Sequence, residues 1–137
     1  MTDSPPRAGE THTFERTFTT EDVRQFADVS GDDQSRHTDP DEEGRLLVHG
    51  LLTATLPTTV GGDLDVLART MEFEFVAPVY TGRRVTCTWT TESVDEREDR
   101  YDLSVDAVCE NGDGEVVLTG TITGLVRKDE ASVDRRN

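Results

Sequence analysis

The second half of the chain alternates apolar and polar residues with a period of two, which is typical of β-strands that bury one face. Four such segments follow one another, and the fourth is EVVLTGTITGLVRK, residues 115–128. The apolar positions of the first three are Met71, Phe73 and Phe75, then Val85, Cys87 and Trp89, then Tyr101, Leu103, Val105, Ala107 and Cys109. One apolar face on each strand predicts an antiparallel sheet that is covered on a single side.

The first half of the chain predicts a short strand at residues 11–18 and then a helix in TTEDVRQFADVSG, residues 19–31. In the helix a threonine precedes an acidic first turn, apolar residues recur at helical spacing, and Gly31 ends it. Residues 31–45 are polar and rich in Asp and Gly, so they predict an irregular loop.

The most apolar segment is LLVHGLLTATLPTTVGG, residues 46–62. It predicts a helix that begins at His49-Gly50 and is ended by Gly61-Gly62, with a kink or an altered last turn caused by Pro57. Only this helix is apolar enough to cover the sheet. The sequence therefore predicts an α+β fold, a curved antiparallel sheet wrapped around one central apolar helix.

The length of 137 residues fits one domain with a sizeable core. We place this domain at residues 11–128. Residues 1–10, with two prolines and a glycine, predict a flexible lead-in, and residues 129–137 predict a flexible tail.

The charge of the chain excludes two classes of partner. There are 29 Asp and Glu against 14 Lys and Arg, a formal net charge of -15, so neither nucleic acid nor an anionic membrane surface is an expected partner. Lys128 is the only lysine. Because about 1 M salt shortens the screening length to about 3 Å, this composition indicates a protein from a salt-accumulating organism.

Two cysteines, Cys87 and Cys109, lie inside apolar alternations and are expected to be reduced core residues, although neighbouring strands would also allow a bridge. No run of about 18 apolar residues occurs, and the start MTDSPPRAGE lacks the features of a secretion signal. A cytoplasmic location is therefore predicted.

The stretch GDDQSRHTDPD, residues 31–41, carries the candidate chemistry. Asp32 and His37 combine a carboxylate with an imidazole, which is suitable equipment for moving protons near neutral pH. The helix predicted at Gly50 would present free backbone N–H groups, which stabilise negative charge on a carbonyl oxygen. An acid/base pair beside an oxyanion donor predicts a reaction site.

These residues resemble the MaoC-like, R-specific enoyl-CoA hydratases, whose motif runs Asp-x-Asn-Pro-x-His and continues to a His-Gly that opens the central helix of a hot-dog fold. GDDQSRHTDPD followed by VHGLLTA carries the resemblance, and FEFVAPVYTGRRV extends it. It covers roughly residues 12–127. Two departures are Gln34, where the motif has Asn, and Ser35, where it has Pro.

The resemblance implies a hydro-lyase of fatty acid metabolism that adds water across a trans-2-enoyl thioester, or runs the reverse dehydration. It implies that Asp32 and His37 hold and activate the water and that the Gly50 N–H binds the thioester carbonyl. The residues that it places in substrate binding are Gln34, Ser35, His49 and Thr58. It further implies an acyl-CoA or acyl carrier protein thioester as substrate, no cofactor, and a homodimer or a larger assembly of dimers.

Alternatives remain at this stage. His49 could instead be a satisfied polar group beside the helix start. A metal site built from Asp32, His37 and Asp39 would use suitable ligands, but no HxxxH or Cys/His pairing occurs, so no metal is predicted. A hot-dog acyl-CoA thioesterase is also possible. Such enzymes resemble one another in placing an acidic residue on the central helix, whereas the helix predicted here has none before Asp63. A non-catalytic acyl-thioester-binding subunit also stays open.

Overall fold

A single five-stranded sheet and four helices make up the computed structural model, which describes residues 4–128. In chain order the elements are β1 (Thr11–Thr17), α1 (Thr20–Ser30), α2 (Ser35–Thr38), α3 (Gly50–Thr53), α4 (Thr55–Asp63), β2 (Leu67–Phe75), β3 (Arg84–Glu96), β4 (Arg100–Asn111) and β5 (Val116–Arg127). The strands are antiparallel in the order β1-β3-β4-β5-β2. The predicted α+β fold is confirmed.

The central strands bury the apolar face that their alternation predicts. In β3, Val85 and Cys87 are fully buried, whereas the threonines between the apolar positions are only half-buried. Cys87 pairs directly with Cys109 of β4, and both are buried free thiols. The cysteines are therefore reduced core residues on neighbouring strands, as expected.

The central apolar segment forms two helices rather than one. α3 ends at Thr53 and α4 begins at Thr55, so the interruption falls at Ala54, three residues before Pro57. Because proline has no N–H, Pro57 cannot donate a hydrogen bond to the carbonyl of Thr53, and the helix is interrupted before the proline. The predicted end at Gly61-Gly62 was wrong by one residue, since α4 continues to Asp63.

The contact between α4 and the sheet explains a small residue inside a helix. Trp89 of β3 is 1% exposed, and a Cβ added to Gly61 would lie 3.3 Å from its ring. Leu56 and Val60 of the same helix are buried in the core. Glycine thus lets the helix approach the tryptophan closely, and α4 takes the covering role predicted for it.

α1 begins and ends as its sequence predicts. Thr19 caps the N-terminus in a reciprocal capping box with Asp22. At the other end Gly31 has φ 78°, and its N–H donates to Ala27 O at 2.9 Å. The loop predicted from residue 31 to 45 was wrong in one respect, because α2 forms a single helical turn within it.

Strand β2 lies at one edge of the sheet and is much more exposed than its alternation predicts. Phe73 is partly buried, because its ring lies where a Cβ of Gly120 would be, 2.6 Å away. In contrast Met71 is 45% exposed and Phe75 is 54% exposed. The apolar face of β2 therefore extends beyond the core of this chain.

The ends of the chain are only partly described. Within the predicted lead-in, Gly9 N–H donates to Thr91 O at 2.7 Å, and Thr91 N–H donates to Glu10 O at 2.9 Å. Residues 1–3 and the predicted tail at residues 129–137 lie outside the described residues. Between residues 4 and 128, none of the helices has the length and apolar character needed to cross a membrane.

Candidate active site

The turn after α1 brings Asp32 to the start of the site. Gly31 reverses the chain through its left-handed conformation, and the Asp32 N–H then donates to Ser30 Oγ at 3.1 Å. The Asp32 carboxylate is half-buried, with 41% of its side chain exposed. The end of the helix thus places a carboxylate where solvent and the protein interior meet.

The environment of Asp32 keeps its carboxylate ionised. Gln34 Nε2 donates to Asp32 Oδ1 at 2.8 Å, and this bond is the main cause that lowers the pKa of Asp32 below its usual value. Partial desolvation acts in the opposite direction. A protonated His37 or His49 would lower the pKa of Asp32 further, by a smaller amount.

His37 is fixed in one tautomer by the backbone. It lies in α2 and is 6% exposed. Its Nδ1 is 2.7 Å from the carbonyl oxygen of Leu47, and because a carbonyl only accepts, Nδ1 carries the proton. Nε2 of the neutral ring is then free to accept a proton, and it lies 3.7 Å from Asp32 Oδ2. One water oxygen can lie within hydrogen-bond distance of both atoms.

His49 locks the loop against the start of α3. Its Nε2 donates to the main-chain oxygen of Asp32 at 2.8 Å. Its ring stacks on His37 with a centroid distance of 3.7 Å and an angle of 14°, and Phe26 contacts its edge at 4.9 Å. Its Nδ1 is buried and has no hydrogen-bond partner among the described residues. His49 thus stands beside the helix start with one ring nitrogen bonded to the backbone and the other without a partner among the described residues.

The side chains of Asp32, His37 and His49 form the one group within residues 4–128 whose potential metal ligands lie close together. Their candidate ligand atoms lie within 4.8 Å of one another. A metal ion lies in the plane of each imidazole that binds it, at about 2.0–2.1 Å. The planes of His37 and His49 are nearly parallel and 3.7 Å apart at their centroids, so both lone pairs do not meet at one ion. Asp39 is not part of this group, and these residues do not fit a metal.

The histidines and Asp32 open into a cavity of about 670 Å³. Gly50, the first residue of α3, forms part of its wall, and most of the remaining wall is apolar. Apolar side chains that line it include Phe26, Leu51, Phe75, Val76, Val79 and Val117. Among the lining residues Asp32 is the one carboxylate. The cavity suits an apolar chain that ends in a polar group at the Asp32–His37 pair.

The structure brings together four of the seven site residues named from the sequence. Asp32, His37, His49 and Gly50 line the cavity. Gln34 contacts Asp32 from outside the lining, Ser35 starts α2, and the Thr58 hydroxyl donates to Ala54 O at 2.9 Å on α4. The substrate-binding roles of Gln34, Ser35, His49 and Thr58 stay predictions.

Two aromatic lining residues were not named as site residues from the sequence. Phe26 was seen only as an apolar position of α1, and Phe75 only as an apolar position of β2. Their side chains reach the cavity because α1 ends beside it and β2 runs along it. The signal was available for Phe75, since it opens the FVAPV segment that extends the resemblance.

Comparisons with known proteins agree with this arrangement. The 3-hydroxyacyl-thioester dehydratase Z of Mycobacterium tuberculosis is 34% identical over 93 residues, which cover 58% of this chain and 62% of that protein. The matched region thus spans less than two thirds of the curated relative's length. No family model matches the chain.

Solved structures extend the likeness to nearly the whole chain. The (R)-hydratase of A. caviae involved in PHA biosynthesis superimposes with a TM-score of 0.77 at 24% identity, covering 87% of this chain and 96% of that one. The MaoC-like dehydratase of Rhodospirillum rubrum gives a TM-score of 0.74 at 18% identity, with 89% and 93% covered. The resemblance drawn from the sequence is confirmed, and the chain has the hot-dog fold of the MaoC-like dehydratases and R-hydratases.

Proposed function

We propose that the protein is a hydro-lyase, an R-specific enoyl-thioester hydratase that also runs in reverse as a 3-hydroxyacyl-thioester dehydratase. One observation carries the proposal: Asp32 Oδ2 and His37 Nε2 face each other at 3.7 Å at the wall of an apolar cavity that Gly50 also lines. The names of the M. tuberculosis and A. caviae relatives support the same reaction class.

The proposed chemistry follows from the two polar side chains. Water held between Asp32 Oδ2 and His37 Nε2 adds its oxygen to C3 of a trans-2-enoyl thioester. His37 Nε2 accepts the proton that the water releases and then delivers a proton to C2, so one O–H bond breaks, the C3–O and C2–H bonds form, and His37 returns to its neutral form. Negative charge that develops on the thioester oxygen is stabilised by the N–H of Gly50, since the first N–H groups of a helix have no intrahelical acceptor.

The lowered pKa of Asp32 keeps its carboxylate in the ionised form that this reaction requires. A carboxylate whose pKa is lowered stays ionised to lower pH than an ordinary aspartate. Asp32 should therefore remain ionised in mildly acidic solution and take up a proton only as pH falls through that lowered pKa. Hydrolysis of the thioester is less well supported, because hot-dog thioesterases resemble one another in carrying an acidic residue on the central helix, whereas Asp32, the one carboxylate of the lining, lies between α1 and α2.

The proposal is tested by hydration of crotonyl-CoA at high potassium chloride, followed as loss of the enoyl thioester absorbance. We expect Asp32→Asn and His37→Gln each to lower kcat/KM by about 10²–10⁴-fold, the range of general acid–base catalysis. The two losses should not add in the double variant, because the residues act as a unit. Release of free thiol is measured in parallel.

Two matched variants serve as controls. Asp33→Asn changes the exposed neighbour of Asp32, and His12→Gln changes a histidine of β1 that pairs with Glu10 at 3.8 Å. Both should retain wild-type activity. Thiol release without hydration would replace the proposal with a thioesterase, and binding without either reaction would favour an acyl-thioester-binding subunit.

We further propose that the acyl group is carried by CoA or an acyl carrier protein and that the working unit is at least a homodimer. The apolar, exposed edge formed by β2 supports the dimer. The cytoplasmic location and the salt-accumulating source stay predictions.

A further inference from the structure

Gln34 contacts both members of the proposed acid/base pair. Its side-chain amide donates to Asp32 Oδ1 at 2.8 Å. Its main-chain oxygen accepts the His37 N–H at 2.8 Å, because Gln34 is the residue that precedes α2. One residue thus connects the carboxylate to the helical turn that carries the imidazole.

The Gln34 amide fixes the rotation of the Asp32 carboxylate, so that one of its two equivalent oxygens is held toward His37. A carboxylate turns broadly about its last torsion, so nothing intrinsic to Asp32 distinguishes Oδ1 from Oδ2. The Gln34 amide holds Oδ1, and Oδ2 is then the oxygen that lies 3.7 Å from His37 Nε2. Among the described residues Gln34 is the side chain within ordinary hydrogen-bond distance of this carboxylate.

Other groups hold the main chain of Asp32 independently of Gln34. Ser30 Oγ accepts its N–H at 3.1 Å, and His49 Nε2 donates to its carbonyl oxygen at 2.8 Å. The Gln34 side chain itself is exposed. Removal of the amide should therefore free the carboxylate while the loop keeps its course.

We propose that Gln34 is a positioning residue of this site, which orients the Asp32 carboxylate toward His37 and holds α2 beside it. The inference rests on the proposed hydratase function. It replaces the substrate-binding role that the resemblance implied for Gln34 with a role that acts through Asp32.

The orientation has a signature in the pH dependence. The titratable groups that face Asp32 are His37 from α2 and His49 from the residue before α3, and Asp33 follows it in the chain. The Gln34 bond is the main cause of the lowered Asp32 pKa, so its loss should raise that pKa. The titration of the Asp32 carboxyl group should then move to higher pH.

The test compares Gln34→Leu with Gln25→Leu. Leucine keeps much of the volume of glutamine and removes the donor. Gln25 is the matched control, because its amide also bonds to a carboxylate, that of Glu21 at 3.3 Å on α1. We expect Gln34→Leu to lower kcat for crotonyl-CoA about tenfold, to leave KM within about twofold, and to raise the pH at which the Asp32 carboxyl group titrates. Gln25→Leu should match the wild type in all three.

Two results would overturn the proposal. One is unchanged kcat together with an unchanged Asp32 titration in Gln34→Leu. The other is a loss of activity that is equal at every pH and accompanied by a lowered Tm, which would indicate a structural role alone.

An independent measurement separates this inference from the proposed function. The carboxyl carbon of Asp32 can be titrated by NMR in the absence of substrate. If the wild type does not hydrate enoyl thioesters, the proposed function fails, but a raised Asp32 pKa in Gln34→Leu still supports positioning by Gln34. An unchanged titration in that variant rejects it.

Discussion

Gly50 is a residue whose small size has a visible cause. A Cβ added there would lie 2.7 Å from Cε1 of Phe75, closer than nonbonded carbons approach. Both residues line the cavity, and the Phe75 ring is half-exposed at the end of β2. The ring can therefore move, but only by changing the wall of the cavity beside the proposed oxyanion donor.

We expect Gly50→Ala to lower kcat/KM for crotonyl-CoA by about tenfold, equivalent to about 1.4 kcal/mol, because the methyl displaces Phe75. Phe75→Leu in the same chain should recover part of the loss, and a double-mutant cycle on kcat/KM measures the coupling. Gly62→Ala is the control, since nothing lies within 4 Å of its added Cβ in α4. Independent effects of the two substitutions would contradict the contact.

The sequence predicted the polar residues of the site better than its walls. Asp32, His37 and Gly50, which line one cavity, were named from the sequence because the chemistry proposed for them is carried by the residue types and by their order. The stacking of His49 on His37 and the contact of Phe75 with Gly50 join residues of different elements. The periodicity of one segment carries no information about its distance from another segment, so these contacts could be identified only from the structure.

At the scale of elements, Pro57 and β2 show where local patterns stop being sufficient. Pro57 predicted a disturbance in the central helix but not its position. The interruption falls at Ala54, next to Thr53, to whose carbonyl Pro57 cannot donate a hydrogen bond. For β2 the alternation predicted a buried face, yet the strand lies at the edge and keeps that face partly exposed. Strand order is a property of the whole sheet, and alternation within one strand does not report it.

The exposed edge predicts the assembly that we propose. Met71→Asp should convert a dimer into a monomer, because a charge placed on the edge strand opposes both strand pairing and apolar contact. Light scattering coupled to size-exclusion chromatography measures the mass directly. Val29→Asp is the control, since Val29 is also apolar and is 86% exposed but lies on α1. A wild-type monomer, or a dimer that survives Met71→Asp, would reject β2 as the interface.

At the scale of the molecule, charge is the dominant feature. The chain has a net charge of -15, and several arginines are already paired with carboxylates, as Arg45 is with Asp41 and Arg83 with Asp113, each at 3.0 Å. The remaining excess of carboxylates repels itself across the surface. Salt should therefore be required for full stability.

We expect Tm to rise by roughly 8 °C, or about 2 kcal/mol in the free energy of unfolding, between dilute buffer and about 1 M potassium chloride. Thermal unfolding followed by circular dichroism measures this rise. Sodium chloride should act equally, because screening depends on ionic strength. A Tm that does not change with salt would remove the argument for a salt-accumulating source.

The contact between Trp89 and Gly61 also has a practical consequence. Trp89 is the only tryptophan of the chain, and it lies where β3 meets α4. Indole emission moves to longer wavelength when water reaches the ring, and here the ring is shielded by the helix that continues from α3. The native fluorescence of Trp89 therefore reports, without a label, whether α4, which follows the short helix that begins at Gly50, is packed against the sheet.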